Sequence, residues 1–103
     1  MTTVTICGSL KSVPREHWDD LAQRESLKGH VVLTVNVWTL RDYLHTKDGE
    51  EVKRQLDILH KKKIAMSDIV YVLTNDGYIG SSTQSEIDFA ASLEIPIVYR
   101  SIS

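Results

Sequence analysis

Four short runs of β-branched and aliphatic residues, at positions 3–7, 30–36, 69–73 and 96–99, are separated by stretches whose apolar residues recur at helical intervals. This alternation most constrains the fold. A crossover of a dozen or more residues returns the chain to the same end of a sheet, so successive strands pair in parallel. Run 3–7, Thr-Val-Thr-Ile-Cys, ends in Gly8-Ser9 and reads as a buried first strand. Ser12-Val13-Pro14 opens a helix, with proline where no N–H is needed; Trp18, Leu21 and Ala22 follow, and Gly29 ends it. Run 30–36 is the second strand. Residues 37–46, with Trp38, Leu40, Tyr43 and Leu44, fit either a short helix or an ordered loop over the sheet. Asp48-Gly49-Glu50-Glu51 places an acidic cap three positions before a glutamate, predicting a helix through Val52, Leu56 and Leu59 towards Met66. Strand 69–73 follows, then a helix carrying Ile87, Ala90, Ala91 and Leu93, then strand 96–99.

The order β-α-β-α-β-α-β predicts a single α/β domain over 1–103. The expected architecture is a flavodoxin- or Rossmann-like three-layer sandwich, whose mainly parallel sheet has about four strands in the order 2-1-3-4. Strands 1 and 3 are then neighbours where the winding reverses. Their C-terminal loops, Gly8-Ser9 and 75–85, share the crevice in which such sheets bind ligands.

Charge and cysteine content narrow the function classes. A net charge of −2 gives no basic field for a nucleic-acid polymer, and Lys61-Lys62-Lys63 reads as a solvated helix face. The single cysteine, Cys7, excludes an intramolecular disulfide and the multi-cysteine kind of zinc site. His17, His30, His45 and His60 show no metal-ligand spacing, so neither metal nor cofactor is expected. With no apolar leader or long apolar span, a cytoplasmic location without membrane attachment is expected. A core this small would gain from dimerisation.

The stretch 75–86, Asn-Asp-Gly-Tyr-Ile-Gly-Ser-Ser-Thr-Gln-Ser-Glu, is the candidate site. Glu86 at the mouth of a pocket could act as nucleophile or general base. Equally, Thr83-Gln84-Ser85-Glu86 fits a capping box, in which the glutamate bonds back to its own helix end. Gly77 and Gly80, flanking Tyr78 and Ile79, would let backbone approach a sugar or phosphate, or form a plain turn. The loop has no P-loop lysine, which argues against an ATPase. Ser81, Ser82 and Thr83 offer hydroxyls, one of them needed as a cap. Gly8-Ser9 with Lys11 could hold a phosphate or simply turn the chain. Asp68, just before a strand, suggests a structural role.

These residues resemble the nucleoside 2-deoxyribosyltransferase superfamily, and especially the small 2′-deoxynucleoside 5′-phosphate N-hydrolases. The likeness rests on Ile6-Cys7-Gly8-Ser9-Leu10, on Val32-Leu33-Thr34 with Asn36-Val37, on Ser67-Asp68-Ile69-Val70, and on the loop into Glu86 with Phe89-Ala90. The wording Gly-Tyr-Ile-Gly-x-Ser-Thr-x-x-Glu-Ile is closer still to an uncharacterised bacterial and phage branch. The resemblance implies that Glu86 attacks C1′ of a (deoxy)ribose and displaces the base. Gly8, Ser9, Ser81 and Ser82 would hold the sugar or its 5′-phosphate, Trp38 or Tyr78 would cover the base, and Lys11, Asn36, Gly77, Gly80 and Thr83 complete the expected substrate-binding set. It also implies a small-molecule nucleoside or nucleotide as partner and a homodimer or higher oligomer. The family carries a second catalytic Asp eight positions before the strand-entry Asp; His60 stands there, with Asp57 nearly a turn earlier. Two alternatives remain open. One is a non-catalytic nucleotide-binding or sensing module using the same pocket. The other is a structural partner protein with Trp38 and Tyr43 at its interface.

Overall fold

The computed structural model describes residues 1–35 and 37–102, with Arg41 described by its backbone alone. Strand β1 (Thr3–Gly8) leads into helix α1 (Arg15–Leu27) and strand β2 (Val31–Leu33). A 3₁₀ turn (Trp38–Leu40), a one-turn helix α2 (Arg41–Leu44) and a second 3₁₀ turn (Lys47–Gly49) precede the long helix α3 (Glu50–Ala65). Strand β3 (Ile69–Thr74), helix α4 (Ser81–Ser92) and strand β4 (Ile97–Ser101) complete the chain. The four strands form one parallel sheet in the order β2-β1-β3-β4, as the alternation predicts.

The period-2 pattern of the two central strands divides the core. Val4 and Ile6 of β1, with Tyr71 and Leu73 of β3, pack on one face against Trp18 and Leu21 of α1. Cys7 of β1, with Val70 and Val72 of β3, packs on the other face against Ile64 of α3 and Ile87 and Ala90 of α4. The result is three layers, each face covered because a parallel sheet has no wet side. Asp68 clamps the register at the strand entry: Thr3 N–H donates to its carboxylate at 2.8 Å, and Asp68 N–H donates to Thr3 carbonyl at 2.8 Å.

Several boundaries differ from the sequence expectation. Strand β2 covers three residues where 30–36 was expected, because β1 offers it only Thr3 to Thr5 as partners. Beyond Leu33 the chain leaves the sheet: Lys63 Nζ donates to Thr34 carbonyl at 2.8 Å, and Val35 and Val37 turn into a cavity wall. The acidic cap expected at Asp48 does not form: Gly49 is the N-cap of α3 and gives it no side-chain bond. Thr46 caps the 3₁₀ turn that leads into α3, its hydroxyl accepting from Gly49 N–H at 3.2 Å and donating to Tyr43 carbonyl at 2.7 Å. The fourth strand lies at 97–101 rather than 96–99. The lysine run is not a wholly solvated face, since Lys61 Nζ bonds Ser85 Oγ at 2.8 Å and Lys63 is half-buried.

One buried charge cluster ties α1 to the sheet. Glu25, 1% exposed, accepts from Lys28 Nζ at 2.7 Å and from Tyr71 hydroxyl at 2.9 Å, and its Oε1 lies 3.0 Å from His30 Nδ1. A buried carboxylate is tolerable only with such a set of partners.

Candidate active site

Helix α4 begins at Ser81, and its N-cap, Gly80, supplies no side-chain hydrogen bond. Glu86 is therefore the sixth helical residue, beyond reach of the helix end. The capping-box reading of Thr83-Gln84-Ser85-Glu86 fails because the helix starts two residues before Thr83. The buried stripe of α4 is instead Thr83, Glu86, Ile87 and Ala90, the i, i+3, i+4, i+7 pattern of a core-facing helix. Glu86 thus occupies a position where an apolar residue would ordinarily sit. Helix α3 faces it with His60 and Ile64, one turn apart on its own buried stripe.

These two exceptions to the apolar pattern meet. His60 Nε2 lies 2.9 Å from Glu86 Oε2, and each residue is 7% exposed. Cys7 Sγ, from the end of β1, lies 3.4 Å from the same His60 nitrogen. Burial, then the charge of Glu86, pushes the Cys7 thiol well above its ordinary value. The thiol is therefore protonated near neutral pH and unsuited to attack as a thiolate. His60 Nδ1 is buried and has no hydrogen-bond partner among the described residues.

Above this cluster opens a cavity of about 330 Å³ at the C-terminal ends of β1 and β3, where the winding reverses. Its floor is Glu86 and His60, and its rim joins the two expected loops: Gly8, Ser9 and Lys11 on one side, Tyr78, Gly80, Ser81, Ser82 and Thr83 on the other. Asn75 pins these loops together, its side-chain amide donating to Ser12 carbonyl at 2.8 Å. The Ser9 hydroxyl also accepts from Ser12 N–H at 3.3 Å, so it shapes the turn as well as lining the cavity. The size suits a small organic ligand, at the low end of the usual range of about 300–1,000 Å³.

Gly77 and Trp38 fall elsewhere. Gly77 does not line the cavity; with φ of 75°, following Asp76 at 53°, it turns the chain outside the rim. Asn36 lies outside the described residues. Trp38, expected to stack on a base, instead meets Trp18 edge-on at 5.5 Å under the Arg15 guanidinium, and Trp18 is the tryptophan that lines the cavity.

On α3, sequence reasoning missed Lys53 and named Asp57 without giving it a place in the site. Both line the cavity, paired at 3.2 Å, with Lys53 also bonded to Ser82 Oγ across the rim. Their i, i+4 spacing is a legible signal for a pair, but not for where it points. Cys7 was expected in the buried first strand but not as a member of the site. The nearest carboxylate to the expected second catalytic position, Asp57, does reach the same cavity as Glu86.

Chemically, the cavity offers a carboxylate held by an imidazole, hydroxyls and backbone N–H groups at a helix start, and apolar walls from Trp18, Val35, Val37, Leu44 and Leu56. No helix among the described residues is long and apolar enough to cross a membrane. No protein-family model matches the chain, and no curated protein does.

Proposed function

We propose that this chain is a nucleoside or nucleotide N-glycosyl enzyme, a hydrolase or deoxyribosyltransferase of the nucleoside 2-deoxyribosyltransferase kind. The observation that carries the reading is the placement of Glu86: a carboxylate on the floor of the cavity, bound to His60 and not to its own helix end. In this reading Glu86 attacks C1′ of the sugar, and the electrons of the breaking C–N bond leave with the base, which takes up a proton. The resulting glycosyl ester is resolved by water or a second base, the double displacement of retaining glycosidases. The charge of Glu86 also favours the cationic, oxocarbenium-like transition state. His60 orients the carboxylate and serves as the neighbouring acid and base. Gly8, Ser9 and Lys11, with Gly80 to Thr83, surround the sugar or its 5′-phosphate, and Tyr78 covers the base.

Incubation with the deoxynucleoside 5′-monophosphates, followed by chromatography for free base, tests this. Base release by the wild type, abolished in Glu86→Gln while a thermal shift by the nucleotide persists, is the expected result. Nucleotide binding without any release from the wild type would sink the enzyme reading.

That outcome would favour a second reading, a non-catalytic nucleotide-binding or sensing module. One observation supports it: at the position where the resembling family carries a second acid stands His60, which occupies Glu86 Oε2.

A further inference from the structure

Three potential ligand atoms from three different elements converge beneath the cavity. Cys7 Sγ from β1, His60 Nε2 from α3 and a Glu86 carboxylate oxygen from α4 all lie within 4.8 Å of one another, and all three residues are buried. Two of the three separations are 3.4 Å (S to N) and 2.9 Å (N to O). Zinc bonds of about 2.3 Å to sulfur and 2.0–2.2 Å to nitrogen and oxygen place ligand atoms of a tetrahedral set roughly 3.4–3.6 Å apart. The sulfur–nitrogen separation matches that set, and metal binding would open the nitrogen–oxygen pair by roughly 0.5 Å. We propose that Cys7, His60 and Glu86 form a binding site for a divalent transition-metal ion of the zinc class, with a fourth position facing the cavity.

Charge supports the choice of ion. A thiolate, a carboxylate and a neutral imidazole carry two negative charges, which a divalent cation neutralises within a buried site. Thiolate with imidazole favours zinc and its neighbours over magnesium or calcium, which prefer oxygen alone. Binding displaces the proton of the Cys7 thiol, so one proton is released per metal bound when His60 is neutral. Three protein ligands with one open position match catalytic and exchangeable zinc sites, not closed structural ones. Among the described residues His60 Nδ1 has no partner to anchor the ring from behind, which weakens a metal site by about 10–100-fold relative to one with that support. The site is therefore exchangeable.

The inference goes beyond the glycosyl reading and does not need turnover. If Glu86 also serves as nucleophile, metal capture takes up its charge, and zinc inhibits base release.

The test titrates the reduced chain with Co²⁺ alone, as a spectroscopic substitute for zinc. Cys7 is the only cysteine, so a near-ultraviolet thiolate-to-cobalt charge-transfer band can arise from this site alone. The expected result is a saturable band at one Co²⁺ per chain, displaced by Zn²⁺ and absent in Cys7→Ser. His60→Gln and Glu86→Gln each weaken binding by at least about 10-fold, as loss of a ligand costs no less than loss of its outer support. Absence of the band in the folded wild type at millimolar Co²⁺ overturns the proposal. So does a band that survives unchanged in both His60→Gln and Glu86→Gln. Should a variant fail to fold by circular dichroism, the wild-type band and its displacement by Zn²⁺ decide the matter. Base release without a cobalt band would leave the enzyme reading intact and remove the metal site; a band without base release would do the reverse.

Discussion

His60 Nε2 stands 2.9 Å from Glu86 Oε2, joining the only two charged-type residues on the facing buried stripes of α3 and α4. Each explains the presence of the other. A lone carboxylate or imidazole in that layer would lack a partner for its polar atoms, and the pair supplies one. The core thereby accommodates a carboxylate at the floor of the cavity.

Because the two depend on each other, their substitutions should be strongly non-additive. His60→Leu alone leaves a buried carboxylate unpaired and should cost about 3–5 kcal/mol. The double variant His60→Leu with Glu86→Leu replaces the pair by apolar side chains and should recover most of that loss. Urea unfolding of both single variants and the double variant measures the coupling; strict additivity would show that the pair does not interact.

Glu25 should set part of the acid sensitivity. Burial pushes its carboxyl up, but hydrogen bonds from Lys28, His30 and Tyr71 outweigh this and hold it below the ordinary value of 4.5. A group with a depressed folded pKa stabilises above its unfolded value and loses that contribution as pH falls through the folded one. Stability should therefore decline below about pH 4.5 in the wild type, and less steeply in Glu25→Gln. Near neutral pH the same substitution should cost about 1–3 kcal/mol, through the weakened bonds to Lys28 and Tyr71. Thermal melts across the acid range read both effects; parallel curves for the two proteins would refute the assignment.

Gly49 should tolerate no side chain. A Cβ there would lie 2.1 Å from Tyr43 carbonyl oxygen, a backbone atom that cannot move without shifting α2. Leu44 of α2 is buried and walls the cavity, so Gly49→Ala should lower stability by about 1–3 kcal/mol and also weaken ligand binding. Paired calorimetry and ligand titration would show whether both fall together.

The entry to α3 separates two candidate caps. Thr46→Ala removes a hydroxyl that both accepts from Gly49 N–H and donates to Tyr43 carbonyl, and should cost about 1 kcal/mol. Asp48 contributes its backbone carbonyl to Tyr43 hydroxyl at 3.1 Å, which Asp48→Ala keeps, so this change should stay within about 0.5 kcal/mol. The reverse ranking in urea unfolding would restore Asp48 as the cap.

The types and order of the four strands and three longer helices, and the strand sequence 2-1-3-4, were legible because they rest on local periodicity and on a topological rule that needs only that periodicity. Residues 37–46, by contrast, fitted helix or loop equally and fold as short 3₁₀ and α turns. Val4 and Ile6 alternate with Thr5 and Cys7, and this alone assigns opposite faces of β1. The two rim loops were legible for the same reason, since strand ends at the reversal point are set by order. Periodicity says nothing about where a strand loses its partner, so β2 appeared longer than its three paired residues. Nor does it say which of two adjacent hydroxyl or carboxyl residues reaches a helix end, a choice made by one or two residues of frame.

What only the tertiary structure decided is the chemistry at the cavity floor. Cys7 and His60 are 53 residues apart, and His60 meets Glu86 only because α3 and α4 cover the same face of the sheet. Read along the chain, Glu86 fits both a capping role, which local spacing favours, and a catalytic role, which the family resemblance favours. Packing removes the first: the helix begins at Ser81, rotates Glu86 onto the buried stripe, and leaves its carboxylate to find a partner on the neighbouring helix.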